Sequence, residues 1–499
     1  MTEFLKAIPH NFKPGETALL HKALDFATKA HAGQKRKNGE DYIVHPRGAA
    51  IILGQIFPDT ATLAATLLHD VHEDTGTPLE KIRAEFGEDI ARLVDGVTKL
   101  GHVRFRDSKD KFYVENLRKL FFATSEDVRV ILIKIADRIH NMRTIHHIPK
   151  DKQLKVASET LEVYAPIAAR LGIGSWKDEL ENLSFQIVHP KEYAETEKLL
   201  NQEMAEREES IKEMQKSLIH TLKIEGIKFI EVSGRVKRLY SFYHKLKKYD
   251  GDISKIHDII ALRVITKSTG DCYAALGAIH KHFQPVPGRI KDYIATPKPN
   301  GYQSIHTTVI GKGGKTFEIQ IRTDLMHEEA ERGVAAHWFY NEEGKNHAFT
   351  RSLQAPWLKE LRAWQENTPN PEDFLENLKI DFFKNRIFVY TPKGDIKDLP
   401  SGATVIDFAF SVHSDLAMHM MGARINGKMA SIYDELDKED VIEIIKSKNP
   451  VKVSPKWLEY ARTNNAKSKI RAHLNQENRG LIQRVKEMNF TLPRFFRKK

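Results

Sequence analysis

Two groups of side chains in the first 340 residues have the types and spacing of reaction centres. The first gathers His45, the adjacent pair His69 and Asp70, the carboxylates Glu73 and Asp74, and Asp137 in A-D-R-I-H-N. Two imidazoles and two carboxylates from separated helices can surround one divalent ion, and an oxygen-rich, thiolate-free set favours Mn²⁺ or Mg²⁺ over zinc or copper. Such an ion acidifies bound water and polarises a phosphoryl oxygen, while Glu73 or Asp74, within one turn, can orient or deprotonate that water. The second group gathers Asp258 in D-I-I-A-L-R, the basic loop R-I-K-D-Y-I (289–294), N-G-Y-Q-S-I-H-T (300–307) and Glu318 in E-I-Q-I-R-T. Moving a phosphoryl-type group onto a hydroxyl needs a metal on the phosphates, cations against developing charge and a base. Asp258 and Glu318, on expected neighbouring strands, can share a Mg²⁺. Arg235, Lys237 and Lys245 would line a phosphate channel, and Lys291, Lys298 and Arg322 add positive charge. Tyr302 follows a glycine, so its ring can present a face for stacking. The first group suits hydrolysis of a phosphate ester and the second suits transfer, so a chain with both is expected to make and destroy one nucleotide.

Each residue taken singly has an ordinary explanation: a lone His-Asp pair is commonly a core histidine, and a lone lysine a surface charge. The combination of H-P (45–46), L-L-H-D-V-H-E-D-T (67–75) and K-I-A-D-R-I-H-N-M-R-T (134–144) is far more specific. Within it, His72 reads as an exposed helix residue or an extra ligand. Glu318, Gln320 and Arg322 alternate on one strand face, where acidic, amide and basic groups make a poor core.

The elements that must position these groups follow from periodicity. Residues 16–185 read as successive helices, with apolar residues at helical spacing in 19–27, 61–70 and 128–139. A highly charged helix at about 191–224 has polar residues nearly all round and reads as a connector between domains. From 228 the pattern is mixed α/β: strands at 228–233, 256–265, 304–310 and 316–322, and helices at 270–283, about 324–336 and 351–366. The G-G-K-T at 313–316 resembles the end of a P-loop, but Val309 stands where its first glycine belongs, and a glycine hairpin turn explains it better. A β-rich module is expected from about 385 to 446, then a basic helical tail.

At 499 residues, with 41% hydrophobic and 29% charged residues, the chain has room for about three soluble domains. No run approaches the ~18 apolar residues of a membrane span, the N-terminus lacks a signal-peptide stretch, and Cys272 is the single cysteine. These features point to the cytoplasm. The charge of +11 is uneven: residues 446–499 hold 15 Lys/Arg and 3 Asp/Glu, so the rest comes to −1. The tail therefore reads as a contact for a polyanion, or as a solvated basic helix pair.

On these motifs, over about 16–475, the chain resembles the long RelA/SpoT-type (Rel) enzymes, bifunctional synthetases and hydrolases of the alarmones ppGpp and pppGpp. The resemblance implies a multidomain fold: an all-α HD-type hydrolase domain (1–190), a connecting helix (191–224) and an α/β nucleotidyltransferase-like synthetase domain (225–345). A helical linker (346–384), a small β-grasp TGS domain (385–447) and the basic tail (448–499) follow. It implies Mn²⁺ on His45, His69, Asp70 and Asp137, with Glu73 and Asp74 serving the attacking water. It puts Arg36, Lys37, Asn141 and Thr144 against the nucleotide; Asn38 departs from the serine more common in R-K-S-G. For synthesis from ATP and GDP or GTP, it implies Mg²⁺ on Asp258 and Glu318, and adenine between Arg235 and Arg263. Guanine would stack on Tyr302, with Lys298, Asn300, Gln303, His306, Gln320 and Arg322 in the pocket. R-I-K-D (289–292) is similar to the form found in bifunctional members. D-F-A-F-S-V-H-S-D (407–415) and M-G-A-R-I-N-G-K (421–428) carry the TGS resemblance, with His413 at the place thought to sense a tRNA 3′ end, or simply satisfied at a helix end. Uncharged tRNA and the ribosome are the implied partners. The cysteine-containing and ACT-like modules of longer members have no counterpart in these residues. Two readings compete: a metal phosphohydrolase with an inactive synthetase domain, and a tRNA- or ribosome-binding regulator.

Overall fold

The computed structural model describes residues 2–98, 109–236, 238–256, 259–298, 300–336 and 386–476, in two compact units. Lys237, Asp258, the expected linker at 346–384 with its helix at 351–366, and the tail beyond 476 lie outside the described residues.

The first unit begins with helices, as the 3.6-residue period requires. Helix Pro14–Ala30 opens with proline at its first turn and Glu16 accepting from the Lys13 amide at 2.7 Å. Helices Val44–Gly54 and Thr60–Leu68 follow, the latter capped by Asp59, whose carboxylate accepts from the Thr62 amide at 2.9 Å. The short helix Val71–Thr75 ends at Gly76, in the left-handed conformation. At the centre lies helix Arg129–Arg143. Val130, Ile131, Leu132, Ile133, Ile135, Ala136 and Ile139 are all buried on it, so it is apolar nearly all round and packed on several sides. Arg129 at its start is buried too, and is matched by Asp127 and Asp89, each 2.7 Å from its Nη2.

From residue 229 the chain builds a five-stranded mixed sheet: β1 (Phe229–Val236), β2 (Ile260–Thr266), β3 (Lys291–Asp292), β4 (Ile305–Ile310) and β5 (Thr316–Thr323), in the order β1-β2-β5-β4-β3. Only β2 and β5 run parallel. The G-G-K-T glycines form the turn of the antiparallel β4–β5 hairpin, where Gly313 and Gly314 take φ of 71° and 75°. Period-2 alternation sends Phe317, Ile319 and Ile321 into the core and Glu318, Gln320 and Arg322 to the opposite face.

The charged helix runs from Pro190 to Ile224, close to its expected bounds, but it is not a free connector. Met214, Leu218 and Leu222, spaced by four, are buried against Leu262, Val264, Val309, Phe317 and Ile319 of the sheet. Burying each such side chain contributes roughly 1.5–3 kcal/mol, which fixes the C-terminal half of this helix as a layer of the α/β fold.

The second unit has strands β6 (Arg386–Tyr390) and β7 (Ile396–Pro400), helix Val405–Val412, and a sheet of β8 (Met420–Ile425), β9 (Lys428–Ala430) and β10 (Ile442–Lys446). Its core takes in Trp457, Ala461, Ala466 and Ile470, so the segment after β10 belongs to this fold up to that point. Buried Asp407 secures it: its carboxylate caps Thr404 and accepts from the amides of Arg462 and Thr463 at 3.0 and 2.8 Å. No helix among the described residues is long and apolar enough to cross a membrane.

Candidate active sites

Three helix ends and the middle of a fourth helix converge in the N-terminal region. His45 lies in the first turn of Val44–Gly54, His69 and Asp70 form the junction between Thr60–Leu68 and Val71–Thr75, and Asp137 projects from Arg129–Arg143. His45 Nε2 is 3.2 Å from Asp137 Oδ1 and 3.5 Å from Asp70 Oδ2; His69 Nε2 is 3.2 Å from Asp70 Oδ1 and 4.0 Å from Asp137 Oδ1. At bond lengths of about 2.1 Å, cis ligands of one ion lie about 3 Å apart and trans ligands about 4 Å. The four separations span that range.

The tautomers fit as well. His69 Nδ1 donates to the Thr66 carbonyl at 2.7 Å, which leaves Nε2 as a lone pair; that atom is buried without a hydrogen bond. Burial alone would raise the Asp137 carboxyl, but Lys134 at 2.9 Å and the two imidazoles hold it well below the usual carboxylate range. Asp70 is likewise lowered by His69 and His45 against its own desolvation. The residues present fit a divalent cation: two buried imidazoles and two anionic carboxylates, with His45, His69 and Asp137 mutually within 4.8 Å.

Around this cluster the structure places other groups singled out in the sequence. Asp74 Oδ2 accepts from the Tyr42 hydroxyl at 2.6 Å, and that hydroxyl is 2.9 Å from Asp70 Oδ2, so Asp74 stands beside the cluster. Glu73 is exposed on the same turn. Arg36 donates to Asn141 Oδ1 at 3.1 Å and reaches Thr144 Oγ1 at 3.4 Å, joining three of the four expected nucleotide contacts; Lys37 beside it is exposed. His72 is half-buried, its Nδ1 donating to the Thr77 carbonyl at 2.8 Å, so it serves the local turn.

Sequence reasoning passed over Tyr42, Lys134 and His140. His140 Nδ1 lies 3.0 Å from His45 Nδ1 and 3.2 Å from Arg36 Nη1. Burial, then His45 and Arg36, push its pKa down to about 3, so it is a neutral acceptor linking the cluster to Arg36. Its signal was available: it is one helical turn after Asp137 in A-D-R-I-H-N.

The second site opens on the polar face of the mixed sheet. A cavity of about 660 Å³ is lined by Arg263, Asn300, Tyr302 and Arg322 from the sheet side, and by Ala169, Gly172, Lys177 and Asp178 from the helical region. Glu318, His306 and Tyr302 form a chain: His306 Nδ1 is 3.1 Å from Glu318 Oε1, and its Nε2 is 2.9 Å from the Tyr302 hydroxyl. Burial outweighs Glu318 and lowers the His306 pKa. Gln320 donates to Glu318 Oε1 at 2.8 Å, and its own Oε1 is buried without a hydrogen bond.

Lys298 Nζ lies over the rings of Tyr293 and Tyr302, 4.4 and 4.8 Å from their centroids. Lys291 in β3 is paired with His306 in β4, which brings the R-I-K-D loop to the same face. Asn300 braces the loop, its Oδ1 accepting from the Tyr302 amide at 3.3 Å, and Gln303 donates to the Ile294 carbonyl at 3.2 Å. Arg235 stands in β1 opposite Ala261, and Lys245 is half-buried in helix Leu239–Lys248. Arg322, expected in the nucleotide pocket, borders the cavity but is only 1% exposed, beside helix Asp324–Arg332.

In the second unit, exposed His413 joins helices Val405–Val412 and Ser414–Met418, and its Nδ1 accepts from the Asp415 amide at 3.2 Å.

The fold and sites define the class: a helical domain with a buried His-Asp cluster that fits a divalent cation, joined to a mixed-sheet domain with a nucleotide-sized cavity. An HD domain model matches residues 23–174, the model of the region found in RelA/SpoT proteins matches 234–345, and a TGS domain model matches 387–446. The chain belongs to the RelA/SpoT family. It is 44% identical over 465 residues to a GTP pyrophosphokinase of Myxococcus xanthus, covering 92% of this chain and 61% of that protein. It is 42% identical to the bifunctional (p)ppGpp synthase/hydrolase RelA of Mycobacterium tuberculosis, over 96% of this chain and 65% of that one. A guanosine-3′,5′-bis(diphosphate) 3′-pyrophosphohydrolase of Aquifex aeolicus is 41% identical over 93% of this chain and 66% of its own. The chain thus spans about two thirds or less of the length of these relatives.

Proposed function

We propose that the chain is a bifunctional alarmone enzyme that transfers pyrophosphate from ATP to the 3′-hydroxyl of GDP or GTP, and hydrolyses (p)ppGpp back to GDP or GTP and pyrophosphate. The observation that carries this reading is the presence, in one compact unit, of a His-His-Asp cluster and a separate cationic cavity bordered by Tyr302. Relatives named for each reaction support it.

In the hydrolytic direction His45, His69, Asp70 and Asp137 would hold Mn²⁺, which supplies an acidified water and polarises the phosphoryl oxygen when bound. Asp74, held by Tyr42, or Glu73 would orient the attacking water or accept its proton. Arg36, supported by Asn141, Thr144 and His140, would bind the nucleotide, with Lys37 available to its phosphates. In the synthetic direction Asp258 and Glu318 would hold Mg²⁺, and Glu318 would accept the 3′-hydroxyl proton. Tyr302 would stack on guanine, Arg235 and Arg263 would flank adenine, and Lys237, Lys245, Lys291, Lys298 and Arg322 would offset phosphate charge. Asn300, Gln303, His306 and Gln320 would shape the pocket.

The TGS domain, with His413 exposed, and the basic segment after it would meet RNA, with tRNA and the ribosome as partners. A cytoplasmic location agrees with these substrates. Glu318→Gln should abolish AMP release from ATP and GDP while sparing pppGpp hydrolysis, and Asp70→Ala should do the reverse. Loss of both activities in either folded variant would overturn the two-site assignment.

A further inference from the structure

Helix Asp324–Arg332 follows β5 directly and carries His327 and Glu331 one turn apart on the polar face of the sheet. Four side chains meet there. Arg263 and Arg322 come from the adjacent parallel strands β2 and β5, and a guanidinium group only donates hydrogen bonds. Two such groups side by side repel each other and need acceptors between them.

His327 Nδ1 lies 2.6 Å from Arg322 Nη2 and 3.4 Å from Arg263 Nη1. Glu331 Oε1 is 3.5 Å from Arg322 Nη2 and 3.5 Å from Arg263 Nη1. With donors on both sides, Nδ1 must be the acceptor, so the imidazole is neutral and its proton sits on Nε2. Burial and the two arginines push the His327 pKa down, in agreement with that tautomer. All four residues line the cavity that Asn300 and Tyr302 share.

We infer that His327 and Glu331 are positioning residues of the synthetic centre: they hold the Arg263 and Arg322 guanidinium groups in the orientation that receives a nucleotide. The inference rests on the proposed synthesis reaction. One carboxylate against two guanidinium groups leaves this four-residue cluster with one positive charge, the sign a phosphorylated ligand needs. The neutral imidazole separates the cations without cancelling that charge.

The test uses the full chain with His327→Ala, His327→Asn and Glu331→Gln. Asparagine places an amide oxygen at about the reach of Nδ1 and so keeps the acceptor. Synthesis is followed as AMP release, giving KM and kcat for ATP and for GDP, and equilibrium binding of each nucleotide is measured separately by calorimetry. His327→Ala should raise KM and Kd for GDP or ATP about tenfold, the size of one lost hydrogen bond to a charged group, with kcat within about twofold. His327→Asn should recover to within about threefold of the parent, and Glu331→Gln should fall between the two. Hydrolysis of supplied pppGpp, which uses neither residue, reports an intact fold. Unchanged KM and Kd in His327→Ala, or an asparagine variant as weak as the alanine one, would overturn the inference. A parent protein that releases no AMP would instead refute the synthesis reading, and the binding measurements alone would then decide the role of His327.

Discussion

Asp137 is at once a carboxylate of the candidate metal cluster and the partner of buried Lys134, and the second role can be measured without any metal. Its Oδ2 takes the Lys134 ammonium at 2.9 Å and its Oδ1 takes the Asn141 amide at 2.6 Å. Lys134 and Asp137 are 13% and 9% exposed, so Asp137→Asn leaves an ammonium group with little water around it. Breaking a buried pair by removing one partner costs about 3–5 kcal/mol. The lower end applies here, because Lys134 remains in the field of Asp70. About 3 kcal/mol is more than a hundredfold in an opening equilibrium. The assay is hydrogen exchange of the amides of helix Arg129–Arg143 in chelator-treated protein, which reads this helix rather than the unfolding of a multidomain chain. Protection should fall about a hundredfold in Asp137→Asn and return to within about tenfold of the parent when Lys134→Met is added, since the stranded charge is then gone. A double variant no better protected than the single one would refute the ion-pair reasoning.

Further outcomes follow from the same geometry. Tyr42→Phe removes the donor shared by Asp70 and Asp74, and should weaken Mn²⁺ binding or hydrolysis about tenfold to a hundredfold while leaving AMP release from ATP and GDP unchanged, as paired assays would show. Gly333 has φ 55° and ψ −131°, and a Cβ there would run into the Leu171 carbonyl and the Gly172–Ile173 peptide. Gly333→Ala should therefore part the Val334–Leu171 hydrogen bond and cost about 1–3 kcal/mol in backbone strain alone. Faster hydrogen exchange at Val334 and at least a tenfold loss of synthesis should result, and unaltered exchange would contradict it. Replacing Lys467, Lys469 and Arg471 by glutamine should flatten the salt dependence of RNA binding by up to about one unit of slope for each phosphate no longer neutralised. An unchanged slope would remove this segment from the RNA surface. Truncation at 448 is unsuitable for that question, because Trp457, Ala461 and Ile470 lie in the core of the unit.

The His-Asp cluster was legible because its residues fall in short motifs whose residue types have few other uses together. The alternation of Glu318, Gln320 and Arg322 with Phe317, Ile319 and Ile321 was equally plain, since a strand separates its faces at every residue. The fold class, helical then α/β then β-grasp, agrees with the three domain models in their order. The packing of the long helix on the sheet was not legible because Met214, Leu218 and Leu222 are sparse within a run of charges, and three apolar residues at i, i+4 and i+8 suffice to seat a helix on a sheet. His140 could have been found by helical spacing from Asp137. His327 could not: its role depends on a helix packing against the strand that precedes it, and on two arginines set side by side by the parallel pairing of β2 and β5.

The most direct test of the central claim supplies ATP and GTP with Mg²⁺ and a little Mn²⁺, and measures AMP, pppGpp and free pyrophosphate in the same reaction. AMP records every synthetic turnover, whereas pppGpp records only what survives hydrolysis. The account predicts AMP in excess of pppGpp, with the shortfall recovered as pyrophosphate and abolished by Asp70→Ala. Absence of AMP, together with supplied pppGpp that persists unhydrolysed, would contradict it.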